Sequence, residues 1–335
     1  MKFTTHPSRR KFLAGTAAGA AALSLGLGRT AFAQDYPAGN MEITIPTGEG
    51  GGADRDSRAF VQVWNKYLKT NFEFGYYPGA AGQVGYEFFM QKEPNAYNLL
   101  FSNLGPEVIM LTLQNVGIDI GKDLVYIRRT STEPMAVWVG PDSPFESLEQ
   151  LVEEGKKRPV SISVSRLPHP ASIGMLALGE ATGAQFNLIP FGGGNPTAMA
   201  AITGEVDASA LPLANPIALG DQARVLGIFA NENTVPEVTG NAPTVNGALG
   251  TELPELFSSR AWAVHAAAME QYPERVEMLK STIDQTMADP AYVAAVEAAG
   301  VPRAFITPGD QETAMAEAAA TRELAERYRD LLTGK

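Results

Sequence analysis

The sequence predicts an α/β fold of two lobes, each with a mainly parallel sheet that helices flank. Short strand patterns alternate with helical patterns over most of residues 41–266, as in parallel α/β proteins. These units are too many for one small sheet, and no long linker divides the chain into consecutive domains. Two lobes joined by two chain crossovers satisfy both observations. We place the crossovers near residues 134–139 and 260–264.

The first 33 residues have the pattern of a removable export signal of the twin-arginine type. Arg9 and Arg10 precede a run of Ala, Gly and Leu of about 15 residues, and Ala31 and Ala33 form a small-residue cleavage site before Gln34. The run is shorter than the roughly 20 strongly apolar residues of a spanning helix, so membrane anchoring is the disfavoured alternative. We expect export to the periplasm and cleavage after Ala33.

Without this signal the chain is strongly acidic and contains no cysteine. Residues 1–33 hold five basic residues and no acidic one, so 21 of the 26 basic residues remain against 37 acidic ones, a net charge of −16. Such a charge repels nucleic acids and anionic lipids. The lack of cysteine excludes disulfides and thiolate metal sites, and two remaining histidines argue against a histidine-based metal centre. We therefore expect no metal, no cofactor and no nucleic-acid partner.

Eight strand patterns follow the signal, and most of them precede a helical pattern. They occupy residues 41–46, 72–76, 99–102, 136–139, 160–165, 186–189, 206–211 and 225–229. With the two crossovers, this order assigns residues 34–135 and 260–335 to one lobe and residues 136–259 to the other.

Local signals mark several helix ends. Ser147 and Gln150 form a capping box before a helix that ends near Lys157. Gly204 fits a helix C-terminal cap after residues 196–203. The segment that follows the second crossover is almost wholly helical.

Three glycine-bearing loops follow strands, at residues 47–52, 78–82 and 190–194. Backbone N–H groups at a helix N-terminus can bind an anion, and glycine allows the anion to approach closely. In a parallel sheet such loops gather at the carboxyl ends of the strands, where ligands bind. The first loop has no P-loop sequence and matches the dinucleotide fingerprint only weakly. The three loops together favour anion recognition, and a plain βα turn is the alternative for the first.

Few side chains point to catalysis. The sequence has neither a Gly-x-Ser-x-Gly elbow nor a His-Glu-x-x-His motif, and neither histidine has an identifiable triad partner. His265 follows an apolar strand and is interpreted as structural, whereas His169, in a loop between two prolines, is a candidate for lining a cleft. Arg128 and Arg129 could grip a carboxylate, but we favour a surface strand end for them because strands expose alternate residues.

Five motifs in the same order resemble the solute-binding receptors of tripartite tricarboxylate transporters, the Bug-type periplasmic proteins. Residues 45–58, Ile-Pro-Thr-Gly-Glu-Gly-Gly-Gly-Ala-Asp-x-x-x-Arg, are similar to the family's Val-Pro-Phe-x-Pro-Gly-Gly-x-x-Asp-x-x-x-Arg. Residues 78–85 and 94–100 resemble its Pro-Gly-Ala-Gly-Gly-x-x-Gly and Pro-Asp-Gly-Tyr-Thr-Leu-Leu. Residues 189–207 resemble its Val-Pro-Tyr-x-Gly-x-x-Pro and Gly-x-Val-Asp, and residues 242–245 its Pro-Thr-Val element.

The resemblance implies a type II periplasmic-binding-protein fold that closes on a small carboxylate. It implies a receptor without enzymatic activity that presents its ligand to a two-component membrane permease, and we expect a monomer. In the family, backbone amides and ordered waters from glycine loops hold the ligand. Carried over residue by residue, the ligand-binding positions are Thr47, Gly48, Glu49, Gly50, Gly51, Ser102, Phe191, Gly192 and Gly193.

The chain departs from the family pattern in two loops. The family's usual aromatic residue and proline in the first loop are Thr47 and Glu49 here, and its Ser/Gly-rich segment ending in His is replaced by residues 165–172. Ser172 occupies the place of that His and His169 a Ser position, so we add Ser165, His169 and Ser172 to the ligand-binding set. We expect Glu49 to repel a bare polyanion and to favour a ligand that also offers a hydroxyl or ammonium donor.

Two other functions remain open at this point. One is an exported α/β hydrolase or isomerase that acts on a small organic acid through acidic residues of the same cleft. The other is a sensor that reports its ligand to a membrane kinase. The sensor shares the fold and differs only in its partner, so the sequence does not separate it from a transport receptor.

Overall fold

The computed structural model describes residues 36–334. The predicted export signal and its cleavage site lie outside the described residues. Within them, no helix is both long and apolar enough to cross a membrane. All elements below belong to one compact unit that begins at Gly39.

The described chain contains ten strands, and the eight predicted patterns all fall on strands. The strands are β1 (Met41–Ile45), β2 (Phe72–Tyr76), β3 (Asn98–Asn103), β4 (Leu124–Val139), β5 (Val160–Val164), β6 (Phe186–Pro190), β7 (Ala208–Pro212), β8 (Arg224–Ile228), β9 (Phe257–His265) and β10 (Ile306–Gly309). The start of β4 and the whole of β10 were not predicted.

Thirteen α-helices accompany these strands. They are α1 (Gly52–Leu68), α2 (Gln83–Met90), α3 (Leu104–Gln114), α4 (Leu148–Gly155), α5 (Pro170–Thr182), α6 (Gly194–Ile202), α7 (Ala214–Leu219), α8 (Val245–Leu249), α9 (Ala266–Gln271), α10 (Pro273–Ala288), α11 (Pro290–Ala298), α12 (Gln311–Arg327) and α13 (Arg329–Thr333). Ser147 Oγ accepts a hydrogen bond from the Gln150 N–H, which confirms the predicted cap of α4. The C-terminal segment is helical as predicted, apart from the short β10.

The strands form two sheets that share one long strand. In sheet A, β1 pairs in parallel with β2 and β3, while β9 lies antiparallel between β3 and β4. In sheet B, β5 pairs in parallel with β6 and β7, and β4 lies antiparallel to β7 and β8. The two predicted lobes are thus present, and the strands that join them are the antiparallel ones.

Strand β4 carries the chain from sheet A to sheet B. Its first part, down to Pro134, pairs with β9, and its last part, from Met135 to Val139, pairs with β7 and β8. The chain has returned to sheet A where β9 begins, because Phe257 is already opposite Pro134. We call the two halves the sheet-A lobe and the sheet-B lobe. The exact residue limits of each lobe stay a prediction.

An aromatic core fixes α1 to sheet A. Phe60 and Trp64 of α1 pack on Trp262 of β9 with ring centroids 5.3 and 4.9 Å apart, and Phe101 of β3 lies 4.6 Å from the same ring. All four side chains are essentially inaccessible to solvent. Full burial of a large apolar side chain contributes about 1.5–3 kcal/mol, so this cluster anchors the helix that follows the first glycine loop.

Candidate functional site

A cavity of about 640 Å³ lies where loops from both sheets meet. Its walls come from the carboxyl ends of β1, β2, β3, β5, β6 and β7 and the segments that follow them, together with Ser258 and Arg260 near the start of β9. Ligands of parallel α/β sheets bind at this edge, as we expected for the three glycine loops. The volume lies within the range of small-molecule sites in proteins.

The cavity wall is largely apolar and carries few charges. Seven prolines contribute to it: Pro46, Pro78, Pro106, Pro168, Pro190, Pro196 and Pro212. Proline has no N–H group, so these positions offer a ligand apolar contact and no donor. The charged residues of the wall are Glu49, Arg166 and Arg260. Within the described chain, no group of three or more His, Asp and Glu side chains is arranged to hold a metal.

The structure brings eight of the twelve predicted ligand-binding residues to this wall. They are Thr47, Gly48, Glu49, Gly51, Ser165, His169, Gly192 and Gly193. Among them, Thr47 has a buried Oγ1 without a hydrogen-bond partner in the described structure. This oxygen is closed off from solvent, so its unmet hydrogen bond costs free energy.

The other four predicted residues, Gly50, Ser102, Ser172 and Phe191, do not line the cavity. Ser102 is fully buried behind it. Ser172 Oγ donates to the Arg166 carbonyl at 3.0 Å, so it stabilises the loop after β5. Phe191 packs on the apolar cluster around Trp138.

Gly50 lies in the first glycine loop, where its backbone N–H and carbonyl both have partners. Its N–H donates to Asp54 Oδ2 at 2.8 Å, and its carbonyl accepts from Asn195 Nδ2 at 2.8 Å. Asp54 also accepts from Arg58 Nε and the Tyr76 hydroxyl, each at 2.6 Å. Burial by itself would raise the pKa of Asp54, but these hydrogen bonds hold it below its usual value. The Asp-x-x-x-Arg part of the motif therefore shapes the loop.

Ser102 belongs to a buried polar cluster behind the cavity. Its hydroxyl donates to Glu107 Oε2 at 2.8 Å and lies 2.8 Å from the Tyr86 hydroxyl. Asn103 donates to the same carboxylate from its backbone N–H and from Nδ2, at 3.1 and 2.8 Å. Burial raises the pKa of Glu107, although the nearby Arg166 charge opposes the shift. The cluster supports the wall at Asn103 and Arg166.

Two helices begin at the cavity with glycine, one on each lobe. The N-caps are Gly51 for α1 and Gly193 for α6, and neither helix has a side-chain cap in the described structure. First-turn N–H groups have no acceptor within their own helix, and the helix dipole adds positive potential there. The arrangement can hold one anion between N–H groups of both lobes.

His169 also lines the cavity, but its ring serves as a helix cap. His169 Nδ1 accepts the Ala171 N–H at 3.1 Å, which assigns the proton of the neutral ring to Nε2. Burial, together with the charges of Arg166 and Arg260, holds the pKa of His169 well below its usual value. The ring is therefore neutral and can offer a ligand one N–H.

Two arginines of the wall, Arg166 and Arg260, were not predicted from the sequence. Arg260 lies in β9 with its side chain 5 % exposed and bonds Asp56 Oδ2 at 2.8 Å and Glu133 Oε1 at 3.2 Å. An arginine directly before the apolar run of residues 261–264 was the signal that could have found it. Arg166 lies in the loop where the family resemblance fails, so no motif pointed to it.

Arg128 and Arg129 lie away from the cavity. Arg128 makes two hydrogen bonds to Asp284, at 2.7 and 2.8 Å, and Arg129 bonds Glu317 and the Thr307 carbonyl. Both arginines lie inside β4 with side chains 15 and 19 % exposed, so the predicted surface strand end is wrong, because β9 and β10 extend the sheet on both sides of this part of β4.

Contacts across the cavity join the two lobes. Asn195, in the first turn of α6, donates to the Gly50 carbonyl, and Arg166 Nη1 donates to the Ala81 carbonyl at 2.5 Å. Both bonds connect a loop of the sheet-B lobe with a loop of the sheet-A lobe. The lobes thus stand in an arrangement that brings both glycine loops to one site.

Acid should destabilise the protein through its two buried histidines. Burial lowers the pKa of His265 as well as that of His169. The unfolded chain therefore takes up protons below its histidine pKa of about 6.5 while the folded chain does not. Each of the two histidines then lowers the free energy of unfolding by at most about 1.4 kcal/mol per pH unit below this pKa. Urea unfolding from pH 7.5 to 5.5 measures the loss.

The variant His169→Asn provides the control for this pH dependence, because asparagine can cap α5 and has no proton to gain. We expect its stability to fall less steeply with acid than that of the wild type. Parallel curves for the two proteins would contradict the assignment of a lowered pKa to His169.

Comparison with known proteins gives concordant results. A model of the tripartite tricarboxylate transporter family receptors (TctC) matches residues 71–323. The chain is 24% identical over 289 residues to protein BugT of Bordetella pertussis, covering 84% of this chain and 87% of BugT.

Solved structures match the fold. The periplasmic binding protein BugD superposes with a TM-score of 0.75 at 18% identity, over 88% of this chain and 98% of BugD. MatC of Rhodopseudomonas palustris with bound malate gives a TM-score of 0.73 at 19% identity, over 89% of this chain and all of MatC (100%). The fold is therefore that of the periplasmic binding proteins, as the motifs predicted.

Proposed function

Because the chain belongs to the tripartite tricarboxylate transporter receptor family, we propose that it captures a small carboxylate between its lobes and delivers it to a two-component membrane permease. The proteins of this family are solute-binding receptors rather than enzymes. The observation that carries the proposal is the pair of glycine-started helices, α1 and α6, whose uncapped N-termini face one cavity from opposite lobes. A carboxylate between them would be bonded by both lobes at once.

Closure of the lobes is the proposed mechanism. A ligand that contacts both lobes stabilises the closed arrangement by its differential affinity for that state. The contacts Asn195–Gly50 and Arg166–Ala81 would form in the same step. We propose that residues 34–135 and 260–335 move as one body and residues 136–259 as the other.

Support for a carboxylate ligand comes from the site and from a relative in the fold. MatC, which shares the fold, was solved with malate. In this chain the donors at the wall are backbone N–H groups at the starts of α1 and α6 and the guanidinium of Arg166, a set suited to an anion. We further propose that the protein works in the periplasm as a monomer and reaches it through the signal in residues 1–33.

A thermal-shift screen of the purified protein tests the proposed function. The panel comprises mono-, di- and tricarboxylates, aromatic acids and acidic amino acids. A true ligand should stabilise the protein by about 3 kcal/mol at a hundredfold excess over Kd, with a shift that grows with concentration. The absence of a shift with every carboxylate would overturn the proposal.

Glu49 should control selectivity between ligands. Its side chain is 71 % exposed at the cavity wall and lies 3.6 Å from Arg58, which only partly offsets its charge. Glu49→Gln keeps the shape and removes the charge that repels polyanions. We expect the affinity for dicarboxylates to rise by about two- to fivefold relative to the affinity for ligands with a hydroxyl or ammonium group. The effect is small because interactions between solvent-exposed charges are weak. Isothermal titration across such a panel measures the ratio.

Glu87→Gln is a matched control, since Glu87 is an exposed residue of α2 that bonds Gln83 and does not line the cavity. It should leave the ratio unchanged. An unchanged ratio in Glu49→Gln as well would show that Glu49 has no part in ligand choice.

A further inference from the structure

The two arginines of the cavity wall differ in how far their charge is already satisfied. Arg260 donates to Asp56, Glu133 and Ser258, so two carboxylates face its guanidinium. A guanidinium with these partners has little to offer a ligand. Arg260 therefore belongs to the framework of the site.

Arg166 is in a different situation. Its side chain is 13 % exposed at the cavity, and in the described structure it makes one hydrogen bond, to the Ala81 carbonyl. The nearest carboxylate is Glu107, at 3.8 Å from Nη2, which is beyond hydrogen-bond distance. Glu107 is meanwhile fully buried and receives hydrogen bonds from Ser102, Asn103 and Tyr86. Most of the five N–H donors of Arg166 thus remain for another acceptor.

The rest of the wall sets the kind of molecule that this arginine can hold. Seven prolines, together with Leu167 and Leu211, surround the cavity with apolar surface, and the remaining charged residue of the wall is the acidic Glu49. Once Arg166 and the N–H groups at the starts of α1 and α6 together hold one carboxylate, a second carboxylate would meet mainly the prolines, Leu167, Leu211 or Glu49 and lose its hydration with few partners. One charged end and an apolar body match this distribution.

We propose that Arg166 grips the ligand carboxylate directly and that the ligand is a monocarboxylate with an extended apolar body. This inference rests on the proposed receptor function and narrows its substrate class. The planar guanidinium presents two parallel N–H groups to a carboxylate. Since Arg166 also bonds Ala81 on the opposite lobe, the same side chain links ligand capture to the closed arrangement.

Isothermal titration of the wild-type protein with matched probes is the first test. The probes are octanoate and 4-phenylbutanoate, the amides of both, octanedioate and malate. At least one of the two monocarboxylates should bind at least about tenfold more tightly than its amide, because hydrogen bonds to a charged group are stronger. The affinity for this monocarboxylate should also exceed the affinities for octanedioate and malate by a similar factor.

The variant Arg166→Gln is the second test. Affinity for the monocarboxylate should fall about ten- to a hundredfold, while affinity for the amide should change less than about threefold. A role in closure alone would lower both affinities equally and would overturn the proposal. Arg128→Gln, which removes a paired arginine outside the cavity, should leave both affinities unchanged.

The outcomes separate this inference from the receptor function. If malate or octanedioate binds as tightly as the best monocarboxylate, the inference is wrong and the receptor function stands. If no carboxylate binds, the receptor function fails too. If the circular dichroism of Arg166→Gln shows that it does not fold, the ratio of the wild-type affinities for the acid and for its amide decides. The variant Arg166→Lys then adds a second measurement. Lysine keeps the positive charge but lacks the planar guanidinium, so this variant should bind the acid more weakly than wild type.

Discussion

Replacing Gly194 by proline should weaken carboxylate binding by about ten- to a hundredfold, the value of one hydrogen bond to a charged acceptor. Gly194 is the first residue of α6, and its N–H belongs to the uncapped turn at the cavity. Proline removes this donor and retains the helical φ angle. Titration of the variant with the tightest carboxylate from the thermal-shift screen measures the loss.

The helix itself should tolerate this change. Proline is common at the first position of helices, where the N–H has no acceptor within the helix. Gly193 before it has extended backbone angles, φ 167° and ψ 166°, which suit a residue that precedes proline. A side chain at position 194 would come within 3.3 Å of Asn215 Oδ1, which a small rotation of that side chain relieves.

Two controls separate the lost donor from added bulk. Gly194→Ala adds a Cβ and keeps the N–H, so it should bind at least several times more tightly than Gly194→Pro. Gln311→Pro places proline at the same position of α12, directly after the N-cap residue Asp310 and away from the cavity, and should keep wild-type affinity. Equal binding by Gly194→Pro and the wild type would show that this N–H does not contact the ligand.

The glycine loops could be predicted because their signal is local. A strand pattern followed at once by glycines and a helical pattern specifies a βα turn, and both the turn and its place at the sheet edge follow from neighbouring residues. The Asp54–Arg58 pair of the first motif was visible for the same reason. Its role was not visible, because the Asp54 bond to the Gly50 N–H depends on the loop path.

The polar half of β4 could not be predicted from its own residues. Positions from Arg128 to Glu133 are charged or hydroxylated, and they form a strand because β9 and β10 pair with them from distant parts of the chain. Thr132, for example, meets Ser259 Oγ at 2.8 Å across 127 positions. Patterns of apolar residues do not reveal a strand whose partners are polar.

Buried charges escaped prediction for a related reason. Arg260 and Glu133 are 127 positions apart, and Arg166 and Glu107 belong to different lobes. A charged residue in a sequence is normally assigned to the surface, because burial is tolerated only with a partner. The partner is known only once the fold is known.

Replacing Arg260 by glutamine should destabilise the protein by about 3–5 kcal/mol, the usual cost of removing one partner from a buried ion pair. Arg260 is the cation between Asp56 on α1 and Glu133 on β4, and Glu133 also accepts the Ala214 N–H at the start of α7. The change leaves Glu133 buried without its counter-charge. Urea unfolding at pH 7 measures the difference, and Arg128→Gln, which removes a more exposed pair, should cost less than about 1 kcal/mol.

The pH dependence of this destabilisation identifies its cause. Burial already raises the pKa of Glu133, and the Arg260 charge opposes that rise. In Arg260→Gln the folded-state pKa should rise further, so the folded protein binds a proton that the unfolded chain releases above its glutamate pKa of about 4.3. Stability of the variant relative to wild type should therefore fall as the pH rises from 5 to 8. The difference in the free energy of unfolding could instead be constant over this range. In that case the loss of packing around the Arg260 side chain accounts for the destabilisation, and an unpaired Glu133 carboxylate does not.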